Sequence, residues 1–507
     1  MKKGIVLFFA FATTICSNVR AQLISYSEPD RDDARDINFE VMGKMNGTFH
    51  IYKNYRDNHF ITLLDGQMKQ IDKVKLDFLP DRIFNADFLQ YQDFYYMFYQ
   101  YQKRSIVYCM AVKLDAKAKK IGEPIQLDTT EINFSASNKI YTVLNSEDKQ
   151  KLMVLKINSR NDKVHYLTTS LFDKDLNLQK KTQIAIQMPG RNDVINEFQL
   201  DNDGDMVCVK TSGTAQNDNV NKIIMLQKQA LSNEVIATDL NIKSLYLDDI
   251  RVKVDNFNKH YLVSSFASKQ RRGNVDGLYC FLYDKSQRKE LLNTSIVFSD
   301  ELRNEAKNDG GAKLAFNDYF LRNIIMKKDG GFIVAAESVY TSSRSGNNNR
   351  WDYFGSPYNS GLSNYYYYNS SPYSYNYPWN RYNSFNNVTR YYADNIVILS
   401  MDVAGKMDWS NVIPKSQYDD NSDNFIGYGL INTGGEIHFL FNSQEKKQML
   451  LTDQSVSPEG QITRSPTLKN LDRGYDFMPR QSKQTGSKQI IIPCQYRNYI
   501  CFAKIDM

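Results

Sequence analysis

Along most of the chain, apolar and polar residues alternate in short runs, the period of a half-buried β-strand. Eight such runs close on an acidic or amide residue: ITLLD at Asp65, AVKLD at Asp115, TSLFD at Asp173, IIMLQ at Gln227, CFLYD at Asp284, ILSMD at Asp402, LLTD at Asp453 and AKID at Asp506. The steps between them are 50, 58, 54, 57, 118, 51 and 53 residues, so a single interval departs from a repeat near fifty. A second mark precedes the first. Asn46-Gly47, Asn202-Asp203-Gly204, Asp329-Gly330-Gly331, Gly434-Gly435 and Gly486 each stand before another apolar run. Gly47 to Asp65 and Gly435 to Asp453 both span 18 residues, and Gly486 to Asp506 spans 20. Two marks at a fixed offset define one unit: strand a, a glycine turn, strand b, strand c ending at the Asp, a second turn and strand d.

A strand repeat of this length predicts an all-β chain folded as a single β-propeller, with eight four-stranded blades, or seven if one unit is irregular. The final unit stops at Met507, directly after its strand c. The alternating segment QLISYS at Gln22–Ser27 is predicted to supply the missing strand d, close the last blade and leave no open sheet edge. The recurrent Asp is read as a turn cap that accepts backbone amides, a structural role.

The stretches KKDGGFIVAAES and DNIVILSMDVAGKMDW resemble the repeat of bacterial β-propeller proteins, where an Asp-Gly-Gly strand precedes a Lys-Leu-Asp-x-x-Gly strand and a Trp-bearing strand. The likeness covers Asp329 to Ala336 and Asn395 to Trp409. Elsewhere it is degenerate, with Gln227 in place of Asp and Trp409 alone carrying the tryptophan. It implies a closed ring of blades with binding surfaces and no shared chemistry.

Residues 1–21 read as a signal peptide: Lys2 and Lys3, an apolar stretch from Gly4 to Ile15, then Val19-Arg20-Ala21, giving a periplasmic or secreted chain beginning at Gln22. Ile15 before Cys16 argues against a lipid anchor. No later run has the length of a transmembrane helix. With the leader removed, 60 basic residues face 57 acidic ones, a net +3 that argues against nucleic acid as a partner. The 34 Tyr and 28 Phe suit pleated, half-buried surfaces.

Candidate chemistry is sparse. Cys109, Cys208 and Cys280 lie inside strand phrases and read as small hydrophobes. Cys494 and Cys501 flank a turn at Arg497-Asn498 and form a candidate disulfide, although their hydrogen-bonded register suits one less well. His50, His59, His165, His260 and His438 show no metal-ligand spacing, and His50 and His438 occupy equivalent strand-b positions that point to blade packing. Asp201-Asn202-Asp203-Gly204-Asp205 resembles a calcium loop without its downstream Glu and is read as a hairpin turn. Asp128-Thr129-Thr130 resembles an O-glycosylation acceptor of Bacteroidota. No catalytic residue, metal or cofactor is predicted.

The long interval holds the one segment unlike a blade. Residues 341–392 carry 12 of the 34 tyrosines and no Lys, between strands b and c of the sixth unit. Tyr, Asn, Ser and Gly dominate recognition loops because rigid rings give contact area with few torsions to freeze. The binding candidates are therefore Trp351, Tyr353, Tyr365, Tyr366, Tyr367, Tyr368 and Trp379. The leading expectation is a binding or scaffold protein that meets a protein or glycan where this insertion overhangs the ring. The alternative is a carbohydrate-active hydrolase or lyase using channel-facing carboxylates.

Overall fold

A computed structural model describes residues 23–31, 37–133, 135–136, 139–161, 163–190, 192–213, 218–307, 311–343, 346–347, 389–420, 422–445, 448–465 and 474–507. The expected leader at 1–21 and the candidate residues Trp351, Tyr353, Tyr365–Tyr368 and Trp379 lie outside the described residues.

The alternating strands pair into antiparallel four-stranded meanders in chain order, as the repeat requires. Blades 1 to 3 span residues 37–75, 85–131 and 142–187. Blades 4 and 5 (194–239 and 246–297) touch edge to edge through one pair, Val220 opposite Leu247. Blades 6 and 7 span 319–413 and 428–464. Blade 8 is built from both ends of the chain: strand c, Tyr499–Asp506, pairs on its outer edge with Leu23–Tyr26. The ladder runs from Leu23 opposite Asp506 to Tyr26 opposite Ala503 and continues as bonds from Ser27 N to Phe502 O (2.9 Å) and Asp30 N to Ile500 O (2.8 Å). The fold is an eight-bladed propeller closed by its N-terminal strand.

Apolar residues from facing sheets form a separate cluster at each junction between neighbouring blades. Phe49, Ile51 and Leu64 of blade 1 meet Ile491, Ile500 and Phe502 of blade 8, so the ring is sealed where the chain ends meet. Blades 5 and 6 join through Leu262, Phe266, Phe332, Val334 and Leu399. Burying a side chain of this size contributes about 1.5–3 kcal/mol. Cys109, Cys208 and Cys280 are fully buried within these sheets, and burial pushes each thiol above its usual range.

The recurrent Asp caps the c–d turn. Asp65 Oδ1 accepts from Gln67 N (2.8 Å) and Lys69 N (2.9 Å); Asp115 and Asp173 repeat the pattern with the amides two and four residues on. Blade 7 departs from the expected phase. Asp453 lies inside strand c, Gln448–Val456, opposite Leu440, and Ser457 accepts the turn amide of Gln461 instead. Buried Asp453 bonds His438 Nδ1 at 3.1 Å. The equivalent His50 bonds Ala116 O of the next blade at 2.9 Å. Trp409 rests on the c–d turn of blade 7, its Nε1 donating to Pro458 O (2.9 Å) beside Gly460, where a Cβ would lie 2.6 Å from the indole.

The N-terminal strand removes the edge of blade 8, so its loss should be felt by the whole ring. A chain starting at Glu28 is expected to lose about 2–4 kcal/mol of stability and to self-associate through the bared strand. Thermal melting and light scattering check this. Unchanged melting and unchanged size would mean that blade 8 is stable with three strands.

Candidate functional site

Strand a is the innermost strand of each blade and lines the axis. In blades 1, 4, 5 and 6 its ladder to strand b slips by one residue. Such bulges re-aim side chains. In blades 4 and 5 they carry Glu197 and Asp249, both buried and both at positive φ, 56° and 48°. A non-glycine residue held there costs roughly 1–3 kcal/mol. The next blade holds them. Glu197 Oε2 accepts from Val252 N (3.2 Å), and Asp249 accepts from Leu321 N. Arg251 bridges the two acids, 3.5 Å from Glu197 and 3.0 Å from Asp249. Burial pushes the Glu197 carboxyl up to about 7, offset only in part by Arg251. Glu337 is likewise enclosed, 2.9 Å from Lys415 Nζ and 3.4 Å from Arg322 Nε. These carboxylates are committed to internal partners and serve packing.

One group differs. Glu40, Asp87 and Lys483 come from the innermost strands of blades 1, 2 and 8. The Glu40 side chain stays 40 % exposed, with Lys483 Nζ 4.0 Å from Oε1. The protein mass around it removes enough hydration to raise its pKa to about 7; Lys483 opposes the rise and Asp87 adds to it. Asp87 is held by Asn85 Nδ2 (2.6 Å), and Asn85 is held in turn by Gln100 Nε2 (2.9 Å). A carboxyl that changes charge near neutrality beside a second, fixed one can hold or move a proton.

The two ends of the ring differ. On the end with the a–b turns, neighbouring blades are tied by polar bonds. Lys149 Nζ reaches Gln90 O (2.8 Å), Asp148 N reaches Asn202 (3.1 Å), Asn202 N reaches Asn256 (2.9 Å), and Asn432 N reaches Gln484 (3.1 Å). The turn read as a calcium-like loop belongs here. Lys285 of blade 5 inserts its ammonium 2.5 Å from Asp201, 2.8 Å from Asp203 and 3.0 Å from Asp205. The place of a cation is taken by a side chain. Burial opposes the charge on Lys285, but its bonds to Asp201 and Asp203 outweigh that and raise its pKa.

The b–c and d–a connections share the other end, and blade 6 rises from it. Its b–c hairpin continues past the sheet as a ribbon, pairing Val339 with Ala393 and ending with Ser343 opposite Thr389. The ends of the expected 341–392 insertion, Thr341–Ser343 and Thr389–Tyr392, are thus paired strand. A third strand, Tyr418–Asp420, joins the ribbon, and Phe320, Val339, Tyr391, Ala393 and Ile426 fix its base. Along it Tyr340 stacks on Tyr392 at 4.5 Å, Tyr418 follows at 6.4 Å, and Arg390 lies 4.4 Å over Tyr418 while bonding Asp420 (2.7 Å).

Other sequence candidates fall as follows. Cys494 and Cys501 are directly opposite, as the turn predicts, with free buried thiols 2.9 Å apart. Asp128 is buried and paired to Lys156 and Lys181 of blade 3, both at 2.8 Å, and Thr130 is buried beside it. The Asp128-Thr129-Thr130 resemblance therefore falls on an interblade contact. Among the described residues no cluster of metal-binding side chains occurs, and no helix is long and apolar enough to cross a membrane. Glu40, Glu197 and Asp249 carry no motif, although Glu197 and Asp249 stand one repeat apart, 52 residues.

No family model matches the chain, and no curated protein matches it. Solved structures do. A chain from a structural and mechanistic study of two prolyl endopeptidases aligns over 92% of this chain and 55% of its own length, at 9% identity and a TM-score of 0.43. A prolyl oligopeptidase B from Galerina marginata aligns over 92% and 56%, at 8% identity and 0.42. A polysaccharide lyase of family PL25, an ulvan lyase, aligns over 82% and 90%, at 9% identity and 0.36. The chain thus spans little more than half the length of the two prolyl peptidases. Likenesses this weak carry no activity across, and the fold rests on the strand pairing itself.

Two measurements follow. Lys285→Met leaves three carboxylates facing one another and should lower stability by about 2–4 kcal/mol in denaturant unfolding. A loss within the ~0–1 kcal/mol of an exposed ion pair would show the cluster to be superficial. Because Glu40 binds its proton more tightly folded than unfolded, stability should fall as pH rises from 4.5 towards 7. Glu40→Gln should reduce that slope and leave the share that Glu197 contributes. A carboxyl resonance of Glu40 titrating near 4.5 would overturn the assignment.

Proposed function

We propose that this chain is an exported β-propeller of the bacterial repeat type that acts as a binding or scaffold protein. Its contact surface is the end of the ring bearing the b–c and d–a connections. The carrying observation is the blade 6 ribbon. Paired backbone from Val339 to Ser343 and from Thr389 to Ala393 runs past the sheet as a braced stalk at the two ends of the Tyr-rich segment. The stacked rings of Tyr340 and Tyr392 at the base of the stalk support this reading. The partner is a protein or a glycan.

A second reading is a carbohydrate-active hydrolase or lyase, favoured by Glu40 with its pKa near 7 beside Asp87. It requires Glu40→Gln to abolish turnover while leaving the melting profile intact.

The stalk dictates the decisive truncation. Joining Ser343 to Thr389 through an Asn-Gly turn removes the segment and preserves the ribbon's last pair. This variant is expected to melt within a few degrees of the full chain and to lose partner capture from an envelope fraction. Unfolding of the ring, or undiminished capture, counts against the reading. Mass spectrometry of the exported chain should give Gln22 as its first residue.

A further inference from the structure

Non-glycine residues at positive φ recur in turns all round the ring, at Met68, Ala118, Lys149 and Leu176 among others, but in the b–c turns the residue placed there is repeatedly arginine. Four of them hold an arginine at positive φ: Arg56 at 46°, Arg104 at 56°, Arg272 at 53° and Arg497 at 56°. Turn positions of this kind favour Asn, Asp and Gly, because a side chain there is strained. An arginine at such a position in turn after turn places a guanidinium at the hairpin tip, at the cost of that strain. In two of the turns a glutamine pins the strained residue: Gln102 Nε2 donates to Arg104 O and Gln495 Nε2 to Arg497 O, both at 2.7 Å. In blade 5 the charge is neutralised, since Arg271 and Arg272 both pair with Asp218. Blades 8, 1 and 2 are consecutive in the ring, so Arg497, Arg56 and Arg104 form an exposed arc along one end.

At blade 2 the arc opens into a cleft of about 540 Å³, a size typical of small-ligand sites. Arg82, from the link between blades 1 and 2, faces it together with Arg104, Phe84, Ile132, Gln102 and Asn133. Neither Arg82 nor Arg104 has a carboxylate partner among the described residues. The walls are fixed by bonds from Phe84 N to Gln100 O (2.8 Å), Ile132 N to Ser105 O (2.8 Å) and Ala136 N to Gln102 Oε1 (2.8 Å). Two available guanidiniums on a set frame match planar carboxylate or sulfate oxygens in pairs.

We propose that this cleft binds an acidic glycan, with Arg82 and Arg104 holding carboxylate or sulfate groups and Phe84 seating the apolar face of a sugar ring. Aromatic rings distinguish a glycan from an acidic peptide. Besides Phe84 in the cleft, Tyr55 lies under Arg56 at 5.2 Å and Tyr496 under Arg497 at 5.4 Å. The guanidiniums of Arg56 and Arg497 cover those two rings, so the ring offered to a sugar is Phe84, partly exposed in the cleft beside Arg82 and Arg104. The inference rests on the reading of this end of the ring as the contact surface and assigns its ligand class.

Binding of fluorescent oligogalacturonate to the full chain tests it, beside a sulfated oligosaccharide, a neutral glucan and polyglutamate. The acidic sugars should bind, in a salt-sensitive way, and the neutral glucan should not. The double variant Arg82→Gln, Arg104→Gln should weaken binding at least ~10-fold with unchanged melting. Arg288→Gln, in a c–d turn at the opposite end, should leave binding untouched. Equal binding by the double variant removes the cleft from the site, and equal binding of polyglutamate replaces the glycan with an acidic protein. No binding of either acidic sugar sinks the proposal, while capture by the blade 6 segment, read separately with the stalk truncation, can still stand.

Discussion

Face-to-face packing of neighbouring sheets is the constraint from which the rest of this structure follows. A four-stranded meander has two broad faces and cannot hide either alone. Each blade covers the next, and the series is complete only when the last covers the first. Here the seam is blade 8, where Tyr499–Asp506 takes its outer partner from Leu23–Tyr26. The apolar contacts of Phe49 and Ile51 with Ile491 and Phe502 exist only because that seam is made. A break at one junction would expose two faces, so the weakest junction sets the stability of the ring.

Charge is handled by the same geometry. The innermost strands converge on an axis where side chains from neighbouring blades approach closely and water is scarce. Most acids there are therefore satisfied in place: Glu197 and Asp249 by backbone amides of the next blade and by Arg251, and Glu337 by Lys415 and Arg322. An acid left with an unpaired charge in such surroundings would cost several kcal/mol. Among the described residues Glu40 has no such enclosing partners, and the hydration it loses to the surrounding protein is answered by holding its proton to higher pH. The a–b end shows the same economy, with Lys285 filling the space between three aspartates.

The architecture was legible in the sequence because the repeat is written by local turn chemistry. Gly47 and Gly330 sit at positive φ, and Asp65 and Asp115 cap turns through amides two and four residues on, so spacing alone reveals them. The phase slipped at Asp453, where a serine does the capping and an aspartate with a histidine partner imitates the mark. The strand-a carboxylates were not legible. A one-residue bulge depends on which backbone amide the adjoining blade presents, a relation between residues such as Asp249 and Leu321 that lie 72 positions apart. The turn arginines gave no signal for the opposite reason: a lone exposed arginine such as Arg497 is ordinary, and only the meeting of Arg82 and Arg104 at one cleft sets that pair apart.

The two ends of the ring are built differently for a mechanical reason. Polar ties such as those from Asp148 to Asn202 and from Asn202 to Asn256 span the a–b turns, and each commits a side chain to the neighbouring blade. The b–c end ties blades as well, through Arg271 and Arg272 to Asp218 and Asn317 to Asn274, but its connections are longer. Length is added there beyond the paired sheets, as the ribbon on blade 6 illustrates, and the cleft on blade 2 opens at the same end. These two features stand four blades apart in a ring of eight, on opposite sides of the axis. A partner long enough to engage both must cross the channel mouth above Glu40 and Asp87. An extended polymer meets that requirement more readily than a compact ligand.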